Sequence, residues 1–217
     1  MTATDTSVFV ALEVIGTVGF AVSGVMAAAR ASMDWLGALA LAVVVAIGGG
    51  TIRDLLIGQL PVGWLLHAWP LTVAALTAVA TLVFLRVRPE ADPMTWKSVS
   101  VADAIGLSTF VILGTEIGLQ ADLNPLLAVA LGTITGVGGG VIRDVLTGER
   151  PMVLVGQIYA VAGIAGGCLF AALVQVGVNT QLAVWSSVLL IIVVRLVSIH
   201  RGWNLPKAIT DPRPTDH

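Results

Sequence analysis

Apolar residues run along this chain in long uninterrupted blocks, and polar residues collect in short gaps between them. A helix needs roughly 20 apolar residues to cross a hydrocarbon core. Seven segments meet that length, at 8–29, 36–58, 63–86, 99–118, 123–147, 151–175 and 180–200. The pattern predicts an all-α membrane protein of seven transmembrane helices. The longest internal connection, Arg86 to Ser98, holds Arg88, Pro89, Glu90, Asp92, Pro93 and Lys97 and divides the chain near its middle. The tail 201–217 is polar and Pro-bearing, and poor order is expected there.

The blocks repeat. Residues 48–61 read GGGTIRDLLIGQLP and residues 138–151 read GGGVIRDVLTGERP, an offset of 90. Upstream, Ile15, Gly16, Phe20 and Gly24 match Ile105, Gly106, Phe110 and Gly114, and Glu13 matches Asp103. Three spans precede the second copy, an odd number, so the copies run in opposite directions through the bilayer. The expected organisation is a three-helix repeat at 8–86, a second, inverted one at 99–175, an unrepeated seventh helix at 180–200 and a cytoplasmic tail at 201–217. Inverted repeats with glycine-interrupted helices at matching places point to a transport site at their interface.

Composition agrees: 57% of the 217 residues are apolar and 11% charged, with a mean hydropathy of +0.96. That charge density cannot solvate a water-soluble domain, which excludes a cytosolic enzyme. A net charge of −2 with no basic tract gives no basis for binding nucleic acid. The lone cysteine, Cys168, allows no disulfide within the chain and reads as a small buried apolar residue. The start of the chain lacks the positive charge of a secretory signal, so the first apolar run reads as a retained span. Cytoplasmic segments carry the excess of Lys and Arg. With the N-terminus outside, Arg30, Arg86, Arg88, Lys97, Arg150, Arg201, Lys207 and Arg213 all fall inside, which predicts N-out, C-in. Six tryptophans lie near span ends, where amphipathic rings prefer to sit.

The repeated motif carries the candidate chemistry. A phosphate loop would need Lys and Ser/Thr after the glycines, and both copies lack them. Each glycine costs a helix about 1 kcal/mol relative to Ala. The triplets Gly48, Gly49, Gly50 and Gly138, Gly139, Gly140 therefore read as kinks that open backbone carbonyls onto a path, in preference to sites of close helix contact. Charges inside a membrane are normally paired or face water. Glu13 lies five residues into the first span and Arg53 five before the end of the second, at similar depth. The expected pairs are Glu13 with Arg53 and, by the repeat, Asp103 with Arg143. Asp54 and Asp144 are left as free or helix-end carboxylates facing a vestibule. Ser108, Thr109, Thr133 and Thr135 could bond helix backbones or line the path. His67, between Trp64 and Trp69, reads as interfacial. No grouping of His and Cys suggests a metal site, and no cofactor is called for.

These residues leave a channel and a secondary carrier of a small neutral solute such as glycine both open. The doubled GGGTIRD and GGGVIRD, the seven spans and the inverted repeat resemble the bacterial branch of the trimeric intracellular cation (TRIC) channels, a domain that also carries a glycine-transporter label. The resemblance covers residues 8–200. It implies a homotrimer in the bacterial inner membrane, conducting potassium and other monovalent cations. Each protomer would then hold a pore between its kinked second and fifth spans. It favours the channel over the carrier. Animal members bind phosphoinositide through basic residues near the pore. No Lys or Arg occurs here between Lys97 and Arg143, so that regulation is not expected, while another membrane lipid between subunits stays open.

Overall fold

The computed structural model describes residues 3–87, 96–155 and 158–203. Eight helices occur among them, with no strand: α1 Ala3–Arg30, α2 Trp35–Leu56, α3 Gly63–Leu66, α4 Trp69–Val87, α5 Trp96–Gln120, α6 Pro125–Leu146, α7 Ala160–Gln175 and α8 Thr180–Arg201. Six are long and apolar enough to cross a membrane, and α7 is a shorter apolar helix. The expected tail from residue 204 and most of the central connection lie outside the described residues.

Local chemistry sets the helix boundaries. Asp34 caps α2 by accepting from the Gly37 amide at 2.7 Å, Asn124 caps α6 through the Leu126 amide at 2.9 Å, and Pro125 takes the first helical position. α2 and α6 end alike. Gly58 and Gly148 adopt positive φ of 70° and 76°. Beyond them, the Gln59 and Glu149 amides each reach back 2.8 Å, to the Asp54 and Asp144 carbonyls. This paired glycine closure satisfies the last helical carbonyls. It also corrects two expected spans. The segment expected at 63–86 is the one-turn α3 followed by α4 from Trp69, and that expected at 151–175 is helical only from Ala160. Pro61 and Pro151, just past each closure, cannot donate to a continuing helix.

α1 and α5 pack antiparallel at the centre. A Cβ on Gly16 would meet the Phe110 ring and one on Gly106 would meet the Phe20 ring. The two rings themselves stack 5.4 Å apart with planes 7° from parallel. α2 crosses α6 with the same reciprocity, Gly48 facing Ile142 and Gly138 facing Ile52. Contacts that exchange partners under a shift of 90 residues are those of a twofold relation. α4 and α8 lie outside and bury one stripe each. On α4 the stripe is Pro70, Ala74 and Ala78; on α8 it is Val184, Ser187, Ile191, Arg195 and Ser198. The outward residues, such as Leu76 and Leu189, are apolar, as a hydrocarbon-facing surface requires. Cys168, expected to be buried, is exposed. It lies off the stripe of Gly163, Gly166, Gly167 and Phe170 that α7 buries.

Candidate functional site

Both glycine triplets lie within unbroken helix. The expected opening of backbone carbonyls is therefore replaced by close approach. A Cβ on Gly139 would stand 2.5 Å from the Val45 carbonyl oxygen, and one on Gly49 would overlap the Thr135 carbonyl. These glycines let α2 and α6 cross backbone to backbone. The third glycines differ between the repeats. A Cβ on Gly140 would lie 2.5 Å from the Tyr159 hydroxyl and 3.0 Å from Asp103 Oδ1, whereas at Gly50 the nearest atom is Arg53 Nη2 at 3.7 Å. One triplet abuts packed polar groups and the other borders open space.

The closed side is built on Arg143. Its Nη1 donates to Asp103 Oδ1 and to the Ser23 hydroxyl, both at 2.5 Å. Its Nε and Nη2 donate to Asp144 Oδ1 at 2.8 and 2.7 Å. The Asp103–Arg143 pair expected from helix depth thus forms, with both side chains fully buried. Asp144 borders a cleft at the end of α1 but is not a free carboxylate. It is buried, and its second oxygen accepts from the Met152 amide at 2.9 Å. The glycine closure of α6 turns the chain back and brings that amide within reach. Two more groups join this cluster. Tyr159 and Arg195 are almost wholly buried, with the Arg195 guanidinium 4.5 Å from the Tyr159 ring centroid, a cation–π contact. The sequence alone places Arg195 near the end of the seventh apolar run and gives no direction for its side chain. The four-residue stripe it shares with Ser187 and Ile191 on α8 was the signal that it points inward.

The other repeat holds its arginine differently. Arg53 donates from Nε and Nη2 to Asp54 Oδ1 at 2.9 and 2.7 Å, and Asp54 Oδ2 accepts from the Gly63 amide at 2.8 Å. Asp54 is therefore buried and engaged while it borders a cavity. The expected Glu13–Arg53 ion pair is absent among the described residues, and Arg53 is bonded through two nitrogens to its own neighbour Asp54. Glu13 instead shares with Arg53 the wall of a cavity of about 30 Å³, lined also by Thr17, Gly50, Asp54 and Trp64. That is room for a water or two. Trp64 donates from Nε1 to the Thr51 hydroxyl at 3.0 Å and fixes one wall.

At the opposite end of α1, Ala27, Arg30 and Ala31 form a cleft of about 60 Å³ with Asp144, Thr147 and Glu149. Between cavity and cleft stand the stacked phenylalanines and the Ser23–Arg143–Asp103 cluster. The hydroxyls of Ser108, Thr109, Thr133 and Thr135 bond carbonyls of their own helices at 2.7 to 3.0 Å and line neither space. His67 is exposed, next to α3.

The arrangement is one of an apolar helical bundle with two buried charge clusters, and known proteins share its sequence pattern and fold. The glycine transporter family matches this chain twice, at residues 10–86 and 100–175. The UPF0126 inner membrane protein YadS of Escherichia coli K12 is 42% identical over 201 residues, covering 92% of this chain and 96% of that protein. A UPF0126 membrane protein of Vibrio cholerae is 42% identical over 205 residues, covering 94% of this chain and 84% of its own length. Among solved structures, the TRIC trimeric intracellular cation channel orthologue of Rhodobacter sphaeroides superposes with a TM-score of 0.84. It shares 34% identity and covers 90% of this chain and 99% of its own. A structure solved for the basis of conductance through TRIC cation channels gives a TM-score of 0.81 at 35% identity, covering 95% of this chain and all of its own. The chain is a multi-pass membrane protein that belongs to the glycine transporter family and shares the fold of the TRIC cation channels.

Proposed function

We propose that the protein is a potassium-permeable monovalent cation channel, assembled as a homotrimer in the inner membrane with one path through each protomer. The observation that carries this reading is the pair of polar spaces at opposite ends of α1, the Glu13–Thr17–Arg53 cavity and the Arg30–Asp144–Glu149 cleft. Both border the three-residue glycine segments or their Arg-Asp extensions. The path passes beside the α2–α6 crossing, and in the conformation described the Phe20–Phe110 stack and the Ser23–Arg143–Asp103 cluster close it. Opening requires α2 and α6 to move against each other at Gly49 and Gly139. The likeness to TRIC channels at more than 30% identity over nearly the whole chain supports cation conduction and the trimer. The placement of Arg30, Arg86 and Arg201 at helix C-termini supports N-out, C-in through the excess of positive charge inside.

A carrier of a small neutral solute such as glycine is the second reading. It is favoured by the two spaces being separated by a closed middle, as alternating access needs. Proteoliposomes separate the two. A channel releases potassium down its gradient at a rate set by voltage and shows no glycine counterflow. A carrier exchanges labelled glycine across the membrane and leaves the potassium gradient standing.

A further inference from the structure

We infer that Glu13 and Thr17 form a binding station for a partly dehydrated monovalent cation at one mouth of the path, a station that the second repeat lacks. The inference rests on the channel reading for its purpose, but its evidence is the local chemistry. Arg53 is already neutralised, since two of its nitrogens bond Asp54, whose other oxygen is held by the Gly63 amide. The cavity that contains these three groups therefore carries the net negative charge of Glu13.

Thr17 supplies the second donor. It is 1% exposed, it lines the same cavity, and its hydroxyl oxygen has no hydrogen-bond partner. A buried hydroxyl without a partner costs free energy, and a cation or its water in the cavity would satisfy it. Thr17 lies four positions after Glu13, so both lie on one face of α1. Glu13 also faces outward, into a groove of about 240 Å³ shared with Glu116 and Gln120. Two carboxylates and no basic side chain line that groove, so the approach favours cations before the cavity is reached.

The second repeat shows why the station is one-sided. Asp103, the counterpart of Glu13, is fully buried and bound to Arg143, and the space beside Gly140 is taken by Tyr159. The hard oxygen donors of a carboxylate and a hydroxyl, with one negative charge, suit an alkali cation and offer nothing to a soft metal.

Crystals of the full-length protein soaked in thallium(I) nitrate test this, because thallium substitutes for potassium and scatters anomalously. An anomalous peak is expected between the Glu13 carboxylate and Thr17 Oγ1. It should vanish in Glu13→Gln and weaken in Thr17→Val. In planar bilayers, unitary potassium conductance of Glu13→Gln at about 10 mM salt should fall about tenfold, the lower range for a focusing charge. At 1 M salt, where the screening length is about 3 Å, it should match wild type. No peak in the wild type, or an unchanged peak in Glu13→Gln, overturns the station. If the protein still conducts, the channel reading survives that loss. A Glu13-dependent peak in a protein that passes no current keeps the station and removes the channel. Density for glycine bridging Glu13 and Arg53, with no thallium peak, overturns the station in favour of a solute site. Thr17→Val and the wild-type soak decide the matter even if Glu13→Gln does not fold.

Discussion

Arg143 and Arg53 occupy equivalent positions in the two repeats, yet they should respond differently to loss. Arg143→Ala leaves Asp103 and Asp144 buried with no cation between them, and breaking such a buried pair costs about 3–5 kcal/mol. Arg53→Ala removes a guanidinium that lines a cavity and is 9% exposed, and it strands one bonded aspartate where Arg143→Ala strands two, so the loss is smaller. Thermal unfolding in mild detergent should rank Arg143→Ala well below Arg53→Ala, and equal losses would contradict the asymmetry. Arg143→Lys should not rescue, because one ammonium cannot span Ser23, Asp103 and both contacts to Asp144. At this scale the sequence was only partly legible. Counting from helix ends gives the depth of a charge but not the direction of its side chain. Depth sufficed for Asp103 and Arg143. It failed for Glu13: both arginines bond the next aspartate through Nε and Nη2, and only Arg143 also reaches the carboxylate of the neighbouring helix.

The crossing of α2 and α6 is the element on which gating would act, and its glycines are distinguishable. Gly49→Ala drives a methyl group into the Thr135 carbonyl, and Gly139→Ala meets the Val45 carbonyl. Backbone cannot rotate aside as a side chain can, so each should destabilise by about 1–3 kcal/mol, the range for overpacking. Gly50→Ala meets only Arg53 Nη2 at 3.7 Å. It should fold as well as wild type or gain up to about 1 kcal/mol of helix propensity. Melting temperatures of the three variants check the contrast; a tolerated Gly49→Ala would show that the helices do not touch there. The repeat made the two triplets visible, and their shared motif pointed to function. It could not show whether a triplet bends its own helix or admits a neighbour, since both need the same absent Cβ. The late start of α7 was hidden for a related reason. Residues 151–159 are apolar enough to read as span, and only the glycine closure at Gly148 with Pro151 shows that the chain turns there.

For the whole molecule, native mass spectrometry from mild detergent should give three copies of the 22.4 kDa chain. A conducting monomer would remove the need for the trimer and leave a pore in each protomer. The N-out, C-in arrangement is checked with single cysteines before Phe9 and after Arg201, which should label from opposite sides of the membrane. Cys168 is exposed in the protomer and must first be replaced by Ser or Ala. The number of spans and their reversal between the repeats were legible because the hydrocarbon thickness imposes a length and an odd span count imposes inversion. The division of labour between the repeats was not. It arises from Arg195 and Tyr159, which α8 and the start of α7 press against the second cluster alone. Whether this asymmetric bundle conducts cations is decided by recording from purified protein in a planar bilayer with a potassium chloride gradient. Discrete unitary currents reversing near the potassium equilibrium potential are predicted. The absence of unitary currents from protein that exchanges glycine, or a reversal near the chloride potential, would contradict it.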